Sequence, residues 1–217
     1  MILSAGRGER MRPLTDTIPK PLLEVNGKPL IVWHIERLVK AGFEEIIINV
    51  AHLGYKIIEA LGNGSKWGVK VTYSDEQNEG ALESAGGIVK ALALLGDEPF
   101  LVVNADIWTD YNFDSTFNLG NDLAHLVLVQ NPEHNLNGDF GLVNDKVLSD
   151  GTKKYTFSGI GYYKPHIFEQ LDYGKRALAP ILRDLMSKSS VSGELFRGIW
   201  TDVGTPKRLE EINKSIF

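Results

Sequence analysis

The sequence contains no cysteine, no long apolar segment and no excess of basic residues. Without cysteine there can be no disulfide, no thiol catalysis and no thiolate metal site. The longest apolar run, residues 46–51, is interrupted by Asn49 and falls well short of the ~20 apolar residues that a membrane-spanning helix needs. The 23 basic and 28 acidic side chains give a net charge of −5, which argues against a protein that binds nucleic acid by neutralising phosphates.

The N-terminal region is charged where a signal peptide would need its apolar core. Its charged residues are Arg7, Glu9, Arg10 and Arg12. We therefore expect a cytoplasmic protein with neither a membrane nor a nucleic acid as a partner. The 217 residues, 43% of them apolar, are enough to bury a core, and they contain no repeat or linker. We predict a single domain over residues 1–217 and leave the oligomeric state open.

The first half of the chain alternates apolar runs with amphipathic segments. The pattern predicts strands at 1–5, 45–50, 69–73 and 100–104, and helices at 29–39, 53–61 and 88–95. Such alternation is typical of βαβ units on a parallel sheet. Ligands on such sheets bind beyond the carboxyl ends of the strands. The loop after the first strand and Asp106, after the fourth, should therefore face one crevice.

The second half of the chain is richer in strands. We predict strands at 126–129, 140–143, 155–163 and 196–201, and helices at 166–171, at 178–188 and from Pro206 onward. The predicted fold class is therefore α/β: a Rossmann-like, mostly parallel sheet with flanking helices and a β-rich insertion in the second half.

A glycine-rich loop follows the first strand. Residues 3–15 read Leu-Ser-Ala-Gly-Arg-Gly-Glu-Arg-Met-Arg-Pro-Leu-Thr. Gly6 and Gly8 allow the backbone to approach an anion closely, and Arg10 adds a planar fork that matches phosphate oxygens. The spacing is neither that of a P-loop nor that of a dinucleotide fingerprint. Taken alone, the segment also fits a flexible, basic surface loop.

The Pro19-Lys20-Pro21 segment that follows favours the phosphate site. The two prolines restrict the backbone on either side of Lys20. A lysine fixed in this way suits a charge that must lie at one point in a transition state.

Two aspartates are candidates for a metal site. Asp106 ends an apolar strand, and Asp202 precedes a Val-Gly-Thr-Pro turn. Each could instead cap a helix or form a turn. Two carboxylates, with no cysteine and no histidine pair at metal-binding spacing, suit Mg²⁺, which also binds substrate phosphates.

These motifs resemble the nucleoside-triphosphate:sugar-1-phosphate nucleotidyltransferases. The resemblance continues through Asn104-Ala105-Asp106 and residues 200–206, so it spans the chain; Ser4 replaces the usual first alanine. Within that family the chain is most similar to the N-acetylmuramic acid 1-phosphate uridylyltransferases of bacterial cell-wall recycling. This closer likeness rests on Glu76, Leu82-Glu83, Gly86-Gly87, residues 104–110, Gly138-Asp139-Phe140 and Phe157-Ser158-Gly159.

The resemblance implies a glycosyltransferase-A-like nucleotidyltransferase fold whose β-rich insertion lies on the acceptor side. It implies transfer of UMP from UTP to N-acetylmuramic acid 1-phosphate, with release of pyrophosphate. It also implies that Asp106 and Asp202 bind Mg²⁺, for which Mn²⁺ can substitute. The implied catalytic residues are Arg10 and Lys20. The implied nucleotide site is Ser4, Ala5, Gly6, Arg7, Gly8, Glu9, Glu76, Ala81 and Asn104, with Glu76 and Ala81 at the base. The implied sugar site is Asn104, Asp139, Gly141, Ser158 and Gly159.

Two alternatives remain at this stage. The acceptor could be another sugar 1-phosphate, as in the heptose 1-phosphate guanylyltransferases, or the chain could be a catalytically silent nucleotide-sugar sensor. Intact Arg10, Lys20, Asp106 and Asp202 argue against the sensor. The Glu-Lys-Pro that many relatives have near the acceptor sugar is absent.

Overall fold

A nine-stranded sheet runs through the centre of the computed structural model, which describes residues 1–215. The strands are β1 (Ile2–Leu3), β2 (Glu24–Val25), β3 (Lys28–Pro29), β4 (Glu45–Val50), β5 (Lys70–Asp75), β6 (Phe100–Asn104), β7 (Ile107–Thr109), β8 (Ala124–Val129), β9 (Phe140–Val143), β10 (Lys146–Leu148), β11 (Lys154–Tyr163), β12 (Val191–Phe196) and β13 (Trp200–Asp202). The helices are α1 (Leu30–Lys40), α2 (Gly54–Leu61), α3 (Glu83–Leu95), α4 (His166–Glu169), α5 (Leu178–Ser187) and α6 (Pro206–Ser215).

The central sheet has the order β5-β4-β1-β6-β11-β8-β12-β10-β9. Its first four strands are parallel, as predicted. The rest is mixed, because β11 runs antiparallel to β6 and β8, whereas β8 and β12 are parallel. The α/β class is confirmed, but the mostly parallel arrangement holds only for the first half. In the second half, β9 and β10 form a hairpin with a tight turn, and β11 returns antiparallel to β6 and β8 from farther along the chain.

The core lies on both faces of this sheet. Residues 46–50 of β4 are buried without interruption, as in a parallel strand covered on both sides. Ile48 and Val103 belong to the cluster that packs under α1, whereas their neighbours Ile47 and Val102 belong to the cluster under α3 and α5. This alternation along each strand produces a three-layered arrangement. No helix within residues 1–215 has the length and apolar character to cross a membrane.

The two largest differences between prediction and structure concern α3 and the strand predicted at 196–201. Helix α3 begins at Glu83 rather than at 88, so Gly86 and Gly87 lie inside it. The strand predicted at 196–201 is wrong, because the chain forms β12 before Arg197-Gly198 and β13 after it. A Cβ at Gly198 would lie 2.6 Å from Oδ1 of Asp110, so the backbone passes close to Asp110 where it leaves the large sheet.

Candidate active site

A cavity of about 520 Å³ opens beyond the carboxyl ends of β1, β4 and β6. The sequence-predicted residues that line it are Ser4, Ala5, Gly6, Arg7, Gly8, Glu9, Arg10, Lys20, Ala81, Asn104 and Asp106. Asn49, Glu83, Ser84 and Lys175 also line it, and sequence reasoning missed these four. The expected crevice at the ends of the parallel strands is therefore present, with the glycine-rich loop and Asp106 on its walls.

The glycine-rich loop is held by its own backbone and by Thr15. Gly8 has φ +65°, and its carbonyl accepts hydrogen bonds from Met11 N at 2.8 Å and from Thr15 Oγ1 at 2.8 Å. A Cβ at Gly8 would lie 3.0 Å from Thr15 Cγ2 and 3.2 Å from Lys20 Cβ. Glycine at position 8 therefore satisfies both the backbone conformation and the close approach of Lys20.

The side chain of Lys20, in the Pro19-Lys20-Pro21 segment, reaches the carboxyl end of β6. This side chain is buried, and Nζ lies 2.6 Å from Oδ2 of Asp106, whose own side chain is 38% exposed. Pro19, with φ −62°, and Pro21 fix the short 3₁₀ turn that carries the lysine. The ammonium group has three donors, so one can bind Asp106 while another faces the cavity. The arrangement places a fixed positive charge beside a carboxylate that solvent and ligand can reach.

The backbone of Asp202 lies beside that of Asp106, but the Asp202 side chain contacts other residues. The amide of Val203 donates to the carbonyl of Asp106 at 2.8 Å. Oδ1 of Asp202 lies 2.6 Å from Nη1 of Arg208 and 2.8 Å from Nε2 of His134. The helix-capping alternative does not fit, because Thr205 Oγ1 accepts the hydrogen bond from Arg208 N in the first turn of α6.

The two aspartates are donors of the kind that a hard divalent ion prefers, but only Asp106 lines the cavity, and Oδ1 of Asp202 is paired with Arg208 and His134. Both are oxygen donors on adjacent backbone segments, and Asp106 faces the cavity. Within residues 1–215, there is no group of three or more histidine, aspartate or glutamate side chains that could hold a metal ion. An ion here would thus need phosphate or water oxygens as well, which is how Mg²⁺ is held in phosphate-binding sites.

Glu76 does not lie where the resemblance implied. Its side chain is fully buried behind the cavity wall, so the prediction that it contacts the base is wrong. Oε1 accepts from Asn49 Nδ2 at 2.7 Å, and Oε2 accepts from the amide of Leu82 at 2.8 Å. Asn49 Oδ1 in turn accepts from the amide of Ser4 at 2.7 Å. Burial raises the pKa of Glu76, against the opposing effect of these hydrogen bonds.

This buried chain of hydrogen bonds joins two walls of the cavity. It connects Ser4, at the start of the glycine-rich loop, through Asn49 and Glu76 to Leu82, before α3. A Cβ at Gly87 would lie 2.8 Å from both Asn49 Nδ2 and Glu76 Oε1, so the second glycine of the pair makes room for it. Asn49, which interrupts an apolar run, was the sequence signal for a buried polar contact.

A second cavity of about 400 Å³ adjoins the first and shares Leu3, Glu83, Ser84 and Asn104 with it. Of the five residues expected at the sugar, Asn104 and Gly159 line this second cavity. Gly159 lies at a bulge in β11 with φ +81°, and a Cβ there would lie 2.5 Å from Asn104 Nδ2. The glycine therefore allows the Asn104 amide to lie against β11.

The other three expected sugar residues have structural contacts instead. Asp139 accepts from the amide of Phe157 at 2.8 Å and from Asn135 Nδ2 at 3.2 Å. Ser158 is buried and donates to the carbonyl of Val127 at 2.6 Å. Gly141 packs against the backbone of Asp150. These residues shape the β-rich half, and the structure does not place them on either cavity.

Comparison with known proteins relates the chain to nucleotidyltransferases. The model of the nucleotidyl transferase family matches residues 1–217. The chain is 54% identical to an N-acetylmuramate alpha-1-phosphate uridylyltransferase of Neisseria meningitidis, over 97% of this chain and 95% of that protein. It is 33% identical to a protein of the same name from Caulobacter vibrioides, over 95% of this chain and 92% of that one.

Solved structures at lower identity share the fold. One, described as a glucose-1-phosphate thymidylyltransferase from Bacillus anthracis, superposes with a TM-score of 0.86 at 23% identity and covers 98% of this chain and 92% of its own. A CTP:phosphocholine cytidylyltransferase from Streptococcus pneumoniae has a TM-score of 0.76 at 20% identity, with 100% and 97% coverage. The mixed sheet with flanking helices is thus a nucleotidyltransferase fold. The whole-length match and the two uridylyltransferase relatives show that this chain belongs to the nucleotidyl transferase family.

Proposed function

We propose that the protein transfers UMP from UTP to N-acetylmuramic acid 1-phosphate and releases pyrophosphate. The observation that carries the proposal is the Lys20–Asp106 pair beside the glycine-rich loop in a cavity of about 520 Å³. The relative that is 54% identical supports this choice of nucleotide and acceptor.

The reaction needs no covalent intermediate with the enzyme. An oxygen of the sugar phosphate attacks the α-phosphorus of UTP, a new P–O bond forms, and the bond to the β-phosphate oxygen breaks. The electron pair leaves with pyrophosphate. Catalysis then depends on positioning and on stabilising charge on the phosphoryl oxygens.

The residues of the cavity suit these tasks. The backbone of Gly6–Glu9 and the guanidinium of Arg10 hold the phosphates that leave, and Lys20 stabilises the charge that develops on the α-phosphate. Asp106 and Asp202 would hold Mg²⁺ or Mn²⁺, whose charge would offset that of the phosphates. Ala81 borders the base, and Asn104 and Gly159 border the sugar. Glu76 acts indirectly, because it fixes Leu82 and Asn49.

The direct test is to identify the product. The purified protein, UTP, Mg²⁺ and N-acetylmuramic acid 1-phosphate are incubated together, and the mixture is analysed by mass spectrometry. We expect UDP-N-acetylmuramic acid and an equal amount of pyrophosphate. A silent sensor would bind the substrates and leave them unchanged, which would overturn the proposal.

A further inference from the structure

Lys175 brings a positive charge to the larger cavity from a segment that packs on the start of α3. The basic residues that line this cavity in the described chain are Arg7, Arg10, Lys20 and Lys175. The first three belong to the N-terminal phosphate-binding segments. Lys175 comes from the loop between α4 and α5, and none of the roles assigned above in the proposed reaction belongs to it.

The loop that carries Lys175 is anchored to the start of α3. Arg176 N donates to the carbonyl of Leu82 at 2.9 Å, and the Arg176 carbonyl accepts from Ala85 N at 3.0 Å and from Gly86 N at 3.1 Å. A Cβ at Gly86 would lie 2.3 Å from the carbonyl oxygen of Gly174, so only glycine allows this approach. The backbone of Lys175 is therefore fixed, although its side chain is 68% exposed.

The ammonium group of Lys175 lies where the two cavities meet. Its Nζ is 3.6 Å from Oε1 of Glu83, and Glu83 and Ser84 line both cavities. Among the described residues that line the smaller cavity, Glu83 alone is charged. Glu83 would repel the second anionic group of an acceptor that carries one, unless a cation lay beside Glu83. The exposed Lys175–Glu83 pair is loose enough to exchange its partner.

We propose that Lys175 binds the lactyl carboxylate of the acceptor sugar and so favours N-acetylmuramic acid 1-phosphate over N-acetylglucosamine 1-phosphate. This proposal rests on the proposed function. The acceptor phosphate must reach the α-phosphorus beside Lys20 and Asp106, which pair with each other and not with Lys175. The carboxylate is then the anionic group left for Lys175, and it is the group that N-acetylglucosamine lacks.

The test compares kcat/KM for the two acceptors at saturating UTP in the wild type, Lys175→Met, Lys175→Arg and Lys70→Met. Lys70 is the matched control, because its side chain is 67% exposed and pairs with Glu45 at 2.8 Å, at the amino end of β5, away from the cavity. We expect Lys175→Met to reduce the preference for the muramic acid substrate by about 3- to 10-fold. This is the usual effect of losing a single charge pair that is exposed or partly buried. Lys175→Arg should retain most of the preference, and Lys70→Met should retain all of it.

Two results would overturn the proposal. An equal loss of kcat/KM for both acceptors would mean that Lys175 binds the phosphate that they share. Wild-type kcat/KM for both acceptors in Lys175→Met would mean that the lysine contacts neither group. Failure of the proposed function is distinct, because the wild type itself would then not turn over N-acetylmuramic acid 1-phosphate.

Discussion

The side chain of Lys20 reaches across 86 residues of sequence to place its Nζ 2.6 Å from Oδ2 of Asp106. The lysine stem is buried, whereas the carboxylate is partly exposed in the cavity. The pair therefore holds one charge of each sign at the point where the ends of β1 and β6 meet. Lys20 is a positioned cation for a phosphate in the cavity, and Asp106 is a carboxylate that can bind a metal ion.

The first prediction concerns Lys20→Met. Methionine keeps the apolar stem that is packed against Gly8 and removes only the charge, so the fold should remain intact. We expect kcat to fall by about 10²- to 10⁴-fold, the range for loss of one preorganised charge stabiliser. Steady-state pyrophosphate release and a thermal melt measure the two effects. A folded variant with near-normal kcat would remove Lys20 from the mechanism.

The second prediction concerns the metal site. Activity should require a divalent cation, and Mg²⁺ or Mn²⁺ should support it. Asp202→Asn should raise the Mg²⁺ concentration for half-maximal activity by at least about 10-fold, since a charged ligand is lost. Asp106→Ala should be more damaging, because Asp106 faces the cavity and also holds Lys20.

The control for the metal titration is Asp184→Asn. Asp184 is an exposed carboxylate paired with Lys188 in the last turns of α5, so its loss should leave the Mg²⁺ dependence unchanged. Full activity of Asp202→Asn at limiting Mg²⁺ would leave Asp106 as the single protein ligand and assign Asp202 to the Arg208 pair.

The third prediction uses the raised pKa of Glu76. Because burial raises the folded-state pKa above the usual value of 4.5, the folded protein binds more protons than the unfolded chain above that value. The Glu76 contribution to the free energy of unfolding is thus present below pH 4.5 and decreases as the pH rises toward the folded-state pKa. Denaturant unfolding of the wild type and Glu76→Gln over this pH range should show the difference between them shrinking or reversing as the pH rises.

A pH-independent difference between the wild type and Glu76→Gln would contradict the raised pKa. The same variant tests the positioning role. The amide of glutamine would present a donor to either Asn49 Nδ2 or Leu82 N, both of which are donors, so one buried hydrogen bond is lost. We expect the KM for UTP to rise with little change in the preference among bases.

The fourth prediction concerns Gly159→Ala. The left-handed backbone costs about 1–3 kcal/mol for a residue with a Cβ. The new methyl group would also press on the Asn104 amide, 2.5 Å away. We expect a lower melting temperature and a lower kcat/KM for the acceptor. Gly68→Ala is the control: with φ +71° and no atom within 4 Å of its Cβ position, it carries the strain without the clash and should leave the acceptor kinetics unchanged.

The sequence predicted the parallel half of the fold well, because each element has a strong local pattern. The strand at 100–104 and the run at 45–50 match β6 and β4 in full. The second half was harder. Strand β10 was missed, since its pairing with β9 depends on a tight turn at Asn144 and Asp145, both with positive φ, and not on apolar periodicity.

The candidate site was predicted best where several residues act through their backbone. The glycine-rich loop lines the cavity as a continuous segment, so each residue of Ser4–Arg10 reaches it. A single side chain is different, because its direction depends on partners distant in sequence. Glu76 turns inward to Asn49 and Leu82, and Lys175 reaches the cavity only because the α4–α5 loop packs on Gly86.

The proposed reaction is tested most directly by one matrix of pyrophosphate-release rates. UTP, CTP, GTP, dTTP and ATP are each combined with N-acetylmuramic acid 1-phosphate, N-acetylglucosamine 1-phosphate and glucose 1-phosphate, in the presence of Mg²⁺. We predict that UTP with N-acetylmuramic acid 1-phosphate has the highest kcat/KM of all pairs. A higher value for another nucleotide or another acceptor, or no pyrophosphate from any pair, would contradict the proposed function.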